Sequence, residues 1–226
     1  MPRPKFDTAA LPPAPDFAHE TPLWENGISH IAGIDEAGRG ALAGPVYAAA
    51  VIFPPEPQIA ARLTGVNDSK KLSAAQRESW ASLIPQMALT LGVGHATHAE
   101  IDAWGIVPAT RMAIRRAVLA LDPFPAYLLV DALHLPEIPL PQASLIKGDA
   151  RSLSIAAASI LAKTARDEAM RQLARSHPGY HWAQNKGYGT PAHLRALETL
   201  GPSPVHRMAF APLKRSDLDN SLSSSS

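Results

Sequence analysis

Apolar positions along the chain gather into short dense runs separated by stretches with helical spacing. "HIAGID" and "PVYAAAVIF" read as successive buried strands, the second stopped by Pro54 and Pro55. "AYLLVDA" is a third, apolar on both faces as strands covered by helices on each side tend to be, and "ASLIKGD" is a weaker fourth. The helices are marked by their caps. Ser73 with Gln76, and Thr97 with Glu100, have capping-box spacing, in which each partner satisfies a free N–H of the first turn. Pro108 suits the first turn of "ATRMAIRRAVLAL". Residues 152–175 predict one long alanine-rich helix with Ser159, Lys163 and Asp167 on a single face. Thr190 as N-cap, Pro191 at the first helical position and Gly201 past the end frame "AHLRALETL". The mixture predicts an α/β domain with a central sheet flanked by helices.

The ends carry a different signal. Residues 1–27 are broken by prolines and acids and predict a flexible or loosely draped extension, and 214–226, ending in "SLSSSS", predict a flexible tail, which leaves 28–213 as one domain. No apolar signal segment and no membrane-spanning run is visible, so a cytoplasmic protein is expected. With 46% hydrophobic and 18% charged residues the chain has the composition of an ordinary globular domain. Zero cysteines exclude disulfides, thiolate metal sites and thiol nucleophiles. A net charge of +1 argues neither for nor against nucleic acid, although the last third leans basic through residues such as Lys163, Arg166, Lys186 and Arg207. On charge alone that lean reads as a solvated surface.

Chemistry concentrates in "HIAGIDEAGRGALAGPV", where Asp35 and Glu36 close a strand and a glycine run follows. Gly38, Gly40 and Ala43 fit the G-x-G-x-x-A of dinucleotide-binding folds. That motif needs a helix to open there, and Gly44-Pro45 prevents it, so a strand–loop–strand hairpin is expected and a nicotinamide-dependent oxidoreductase is disfavoured. What remains is uncovered backbone N–H beside two acids, able to approach a sugar or phosphate closely. Asp131 ends "AYLLV" and Asp149 ends "LIKG" in the same way. Acids turned inward at apolar strand ends are costly unless a cation neutralises them, and carboxylate oxygens suit hard ions such as Mg²⁺ or Mn²⁺. Each acid alone also fits a surface turn, and Asp149 fits a cap on the long helix that follows it.

With these residues placed, the chain resembles the bacterial ribonuclease HII family, the type 2 ribonucleases H. The resemblance runs from about residue 29 to 212 through "GIDEAGRGALAGPV", "VNDSKKLS", "LLVDA", "IKGDARSLSIAAASILAKTARD", "HPGYHWAQNKGYGTPAHLRAL" and "GPSPVHRMAFAP". It implies a ribonuclease H-like fold, a central mixed β-sheet flanked by helices with a helical C-terminal portion. It implies endonucleolytic cleavage of RNA in RNA–DNA hybrids and at single ribonucleotides embedded in duplex DNA, by a two-metal mechanism. The family's metal-site acids match Asp35, Glu36, Asp131 and Asp149; its glycine–arginine–glycine reader of the ribose 2′-hydroxyl matches Gly38, Arg39 and Gly40; its junction tyrosine matches Tyr188. His181-Trp182 and Met208-Ala209 depart from the residues common in relatives, away from the acids.

Adjacent strand residues point to opposite faces, so Glu36 is expected to reach the acids from a distorted strand end. Asn67, Asp68, Ser69, Lys70 and Lys71 form a polar loop in which Lys70 or Lys71 could hold a phosphate; Lys147 and Lys163 could steer the backbone, or Lys163 could only pair with Asp167. His193 and His206 tempt as catalytic groups, but histidines so placed more often serve structure. Asp102 and Arg115-Arg116 read as surface charge. A bulky residue at Gly38 or Gly40 is expected to damage cleavage more than folding. The rival of a different class is a nucleic-acid-binding module that does not cut, disfavoured because a carboxylate cluster hinders phosphate binding. A monomer is expected.

Overall fold

The computed structural model describes residues 11–213. The chain runs α1 (Thr21–Glu25), β1 (Ile31–Ala37), β2 (Val46–Ile52), α2 (Ile59–Arg62), α3 (Ala74–Leu83), β3 (Thr90–Ala96), α4 (His98–Trp104) and α5 (Ile106–Leu119). It continues through β4 (Tyr127–Asp131), β5 (Gln142–Leu145), α6 (Leu153–Ser176), α7 (Trp182–Asn185) and α8 (Pro191–Leu200). The five strands form one mixed sheet in the order β3-β2-β1-β4-β5. β1 pairs antiparallel with β2 and parallel with β4, which in turn runs parallel to β5. The glycine run is therefore the turn of a hairpin and not the start of a helix.

Alternation along β1 and β2 builds two cores. Ala32, Ile34, Ala48, Ala50 and Ile52 face α5, whose Ala113, Ile114 and Ala117 complete a fully buried layer. Ala37, Ala49 and Val51 face α6, which contributes Ala156, Ala157, Ile160 and Ala162. Small residues bring this helix almost onto the strand: a methyl group on Gly33 would lie 2.3 Å from the Ser154 backbone carbon. α6 thus has no room to slide, and the turn leading into it is fixed against the ends of β1 and β4.

Both capping boxes are formed, at Ser73–Gln76 and Thr97–Glu100, and Ser152 and Thr190 cap α6 and α8. Two sequence readings change. "TLGVGHA", not among the four strands expected, is the edge strand β3; methyls on Gly92 and Gly94 would lie 2.1 Å and 2.3 Å from the carbonyl oxygens of Ala117 and Ala113. The glycines are there so that α5 can lie directly on the strand. The second change concerns the N-terminal extension expected over 1–27. Residues 1–10, like the tail 214–226, fall outside the described residues, but the part from Asp16 onward packs. Phe17 is buried, with its ring 5.0 Å from Trp24 and 5.6 Å from Phe53. Glu20, with no exposed surface, accepts from Ser152 Oγ at 2.6 Å and Ser154 N at 3.2 Å. This segment clamps the start of α6 through partners more than a hundred residues away, which proline content could not reveal.

Candidate active site

β1 and β4 are parallel and in register, Ile34 beside Val130, so the next residue on each strand brings Asp35 alongside Asp131. Asp149 does not end a strand, as the sequence suggested, nor does it cap α6. It sits in a 3-10 turn, Gly148–Ala150, between the end of β5 at Leu145 and the N-cap Ser152. The turn is entered through Lys147 in the left-handed conformation, and Gly148 N donates to Asp131 Oδ1 at 2.8 Å. That hydrogen bond fastens the turn to β4 and delivers Asp149. One oxygen from each of Asp35, Asp131 and Asp149 lies within 4.8 Å of the others.

The energetics are those of a site built for a cation. Burial and then the charges of Glu36 and Asp131 push Asp35 well above the ordinary carboxylate range. Burial, followed by Asp131 and Asp68, pushes Asp149 up to about 6. Burial raises Asp131 as well. Like charges gathered out of water oppose ionisation, and a hard divalent ion would remove the conflict.

Glu36 stands next to this trio rather than in it. Its Oε1 accepts from Arg39 Nη1 at 3.1 Å, while its Oε2 is buried without a partner. An orphaned buried carboxylate oxygen costs on the order of 1–3 kcal/mol. Its presence beside three crowded acids fits a missing ligand to the same cation. Opposite the acids, Asp68 accepts from Lys70 N at 2.9 Å, and Lys70 Nζ lies 3.9 Å from Asp149 Oδ2 on a largely exposed side chain. Burial works against the Lys70 charge, but Asp68 and Asp149 lead a set of acids that raises its pKa overall. The Lys147 side chain is exposed and makes no hydrogen bond or ion pair among the described residues.

The glycine segment separates into two kinds of position. Gly38 has φ +95°, and a methyl there would lie 1.8 Å from Arg166 Nε, so substitution at Gly38 strains the fold itself. Gly40 is exposed with nothing within 4 Å of an added methyl. The fold therefore has room for a side chain at Gly40 but not at Gly38, where the expectation that folding is spared fails.

Two arginines that read as solvated surface are fully buried beneath this loop. Arg166 donates to the carbonyls of Pro45 and Ala43, and Arg207 to those of Gly44 and Arg39. Burial, then Arg166, pushes Arg207 down to about 9, and each guanidinium keeps one buried nitrogen without a partner. A signal for Arg166 was present: it falls four residues after Ala162 and four before Met170, on the buried stripe of α6. Asp102 is likewise more than surface charge, accepting from Met208 N and Ala209 N at 3.0 Å each.

Tyr188 is half-buried, its ring 5.2 Å from the Arg166 guanidinium carbon and 5.8 Å from Lys163 Nζ. Lys163 also pairs with Asp167 at 2.6 Å, the pairing its i,i+4 spacing suggested. The tyrosine is held from behind by the two histidines. His193 Nδ1 is 3.0 Å from the Tyr188 carbonyl, so it must donate, which leaves Nε2 to accept from Trp182 Nε1–H at 3.0 Å. His206 Nε2–H, 3.0 Å away, then shares the single lone pair of the same atom with Trp182, and its own Nδ1 accepts from Ser203 N at 2.8 Å. Both rings are neutral and buried. They support structure, and neither faces the acids.

Residues 32–213 match the family model described as Ribonuclease HII. A Ribonuclease HII from Dehalococcoides mccartyi (strain ATCC BAA-2266 / KCTC 15142 / 195) is 51% identical over 205 residues, covering 88% of this chain and 94% of the relative. Among solved structures, the PCNA:RNase HII complex from Archaeoglobus fulgidus matches with TM-score 0.68 at 28% identity, over 84% of this chain and 99% of that one. Bst-RNase HIII in complex with Mn²⁺ shares the fold at TM-score 0.63 and 24% identity, over 93% of this chain and 74% of that one. The mixed sheet and the helices on its two faces are those of a ribonuclease H-like fold, and the chain belongs to the ribonuclease HII family of ribonuclease H hydrolases that act on the RNA of RNA–DNA hybrids.

Proposed function

We propose that the enzyme also nicks duplex DNA at single embedded ribonucleotides, leaving 3′-hydroxyl and 5′-phosphate ends, with Mg²⁺ or Mn²⁺ held by Asp35, Glu36, Asp131 and Asp149. The observation that carries this reading is the convergence of Asp35, Asp131 and Asp149, with the open backbone of Gly40 in the loop that leaves the strand carrying Asp35. The Mn²⁺ complex of the RNase HIII relative supports a hard divalent ion. Two such ions, when bound, activate a water for in-line attack and neutralise charge on the leaving 3′-oxygen.

The chain's own groups supply selection and orientation. Backbone groups around Gly38, Arg39 and Gly40 sense the ribose 2′-hydroxyl, the feature that separates RNA from DNA. Arg39, fixed by Glu36 on one side and through its carbonyl by Arg207 on the other, keeps that backbone in place. Tyr188 packs on the sugar of the neighbouring deoxyribonucleotide. Lys70 holds a phosphate near Asp149, and Lys147 contacts the backbone further out. The protein acts as a monomer in the cytoplasm; no helix among the described residues is long and apolar enough to cross a membrane.

The test is cleavage of a duplex carrying one ribonucleotide, beside an all-DNA duplex, in Mg²⁺, Mn²⁺ and EDTA, with Asp131→Asn in parallel. The expected result is metal-dependent nicking of the ribonucleotide strand alone, lost in the variant, with a 5′-phosphate on the released fragment. Cleavage of long hybrids without nicking at the single ribonucleotide would remove the proposed specificity, and no cleavage by folded protein would leave a binding module.

A further inference from the structure

Between α3, α6 and α7 lies a pocket of about 270 Å³ lined by Arg77, Lys163, Thr164, Asp167, Arg171 and Lys186. It is smaller than the roughly 300–1,000 Å³ typical of sites for drug-sized ligands. Four cations share it with two carboxylates, Asp167 and Glu78. The carboxylates are already engaged: Asp167 by Lys163 at 2.6 Å and Arg77 at 3.5 Å, and Glu78 by Arg171 at 3.1 Å, while Arg171 also pairs with Glu168 at 2.8 Å. Lys186 has no carboxylate within ion-pair distance among the described residues, and its ammonium donates to the Ala183 carbonyl. The Thr164 hydroxyl is buried without a partner. Burial pulls Lys186 below its ordinary pKa, and Arg171 and Arg77 add to that against Asp167. A surplus of cations, one lacking a counter-charge, and an unused hydroxyl form a receptor for a small oxyanion.

The position of the pocket says which one. Ser159 on α6 accepts from Ser69 N beside Lys70 and the acids, and Lys163, one turn on, reaches over Tyr188. Thr164, Asp167 and Arg171 follow on the same helix. At about 1.5 Å of rise per residue, Arg171 lies about 12 Å along the axis from Lys163. One strand of a duplex advances roughly 3.4 Å per nucleotide, so that distance spans about three nucleotides. A backbone leaving the acids past Tyr188 runs into the pocket.

We propose that this pocket binds a backbone phosphate on the deoxyribonucleotide flank beyond Tyr188, with Lys186 as its principal cation and Arg171, held in place by Glu78 and Glu168, beside it; the assignment rests on the reading of Tyr188 given above. It extends the recognised substrate beyond the cut to a fixed number of nucleotides on one side.

The experiment measures KM and kcat for Lys186→Ala and for Arg171→Ala/Lys186→Ala in Mg²⁺, between 50 and 200 mM salt. The substrates are a duplex with one central ribonucleotide and two shortened duplexes, each ending one nucleotide past the ribonucleotide on one side. On the full duplex KM is expected to rise several-fold with kcat retained, and the salt dependence to weaken by about one unit of log–log slope per cation removed. Shortening the flank past Tyr188 brings wild type and variants together; shortening the other flank leaves the difference. Lys186→Arg, which keeps the charge, restores KM and shows that the pocket has not collapsed. An unchanged KM on the full duplex, or an equal penalty on both shortened duplexes, overturns the pocket. Failure of the wild type to nick any of these duplexes sinks the underlying reading instead, a different outcome from a wild type that cuts and a variant that cuts equally well.

Discussion

The acid site and the support behind Tyr188 are both buried and polar, but they treat their polar atoms in opposite ways. Behind Tyr188, the ring nitrogens of His193 and His206 are used in one consistent chain, from Ser203 N–H through both imidazoles to the Tyr188 carbonyl. The Trp182 and Tyr180 rings stack at 4.9 Å around it, and Tyr180 donates to the Gly201 carbonyl. By contrast, Asp35 and Asp131 at the strand ends crowd together with Asp149 on its 3-10 turn, and the Oε2 of Glu36 beside them is left without a partner. The support is complete within the chain, whereas the acids are complete only with something added. Stored repulsion therefore marks the chemistry, and satisfied hydrogen bonding marks what positions it.

The largest effect separates these roles directly. Asp35→Asn is expected to lower cleavage by more than about a hundredfold, because changing groups one shell further out at metal sites already costs roughly 10–100-fold. In EDTA at pH 8 the same variant should melt above the wild type, since Asp35 is opposed by Glu36, Asp131 and Asp149. The gain scales as about 2–4 °C for each kcal/mol in a chain of this size. A variant that loses activity and also melts lower in EDTA would show that the acids are not in conflict.

A smaller effect is expected at the support. His206→Ala removes the acceptor for Ser203 N and one of the two donors at His193 Nε2, which keeps Trp182; stranding the buried Ser203 N–H costs about 1–3 kcal/mol. Melting should fall by several degrees, and KM for the single-ribonucleotide duplex should rise more than kcat falls, because Tyr188 loosens while the acids stay in place. Equal loss in kcat and no change in KM would detach the histidines from Tyr188.

The same contrast governs how much was legible in the sequence. The acids could be read because their cost is local: an Asp or Glu closing an apolar run conflicts with its neighbours in the chain. The long helix and both capping boxes are also local and were read with nearly the right ends, although the cap of the long helix is Ser152 and not Asp149. The rest depends on distant partners. β3 was hidden because Gly92 and Gly94 serve α5, and the packing of Phe17 and Glu20 depends on Phe53, Ser152 and Ser154. Arg207 counted as surface charge because nothing beside it in sequence shows that carbonyls of the hairpin turn will need donors, and for Arg166 the helical spacing signals burial but not those partners.

The smallest effect compares the two regions through pH. Asp149 has a folded pKa of about 6 against an ordinary 3.8, so between those values the folded state holds the extra proton and stability falls as pH rises. His206 is pushed down to about 4 from 6.5 by burial and then by His193, so there the unfolded state holds the extra proton and stability rises with pH. In metal-free wild type the two slopes oppose each other across roughly pH 4 to 6, and melting temperature in EDTA should change little through that window beyond what other groups impose. Asp149→Asn removes one slope and leaves the other, so its melting temperature should climb with pH more steeply than that of the wild type, by a few degrees over the window. Groups such as Glu20, also raised by burial, contribute equally to both proteins and drop out of the difference. Parallel curves would mean that Asp149 does not carry the repulsion, leaving Asp35 and Asp131 as the pair in conflict.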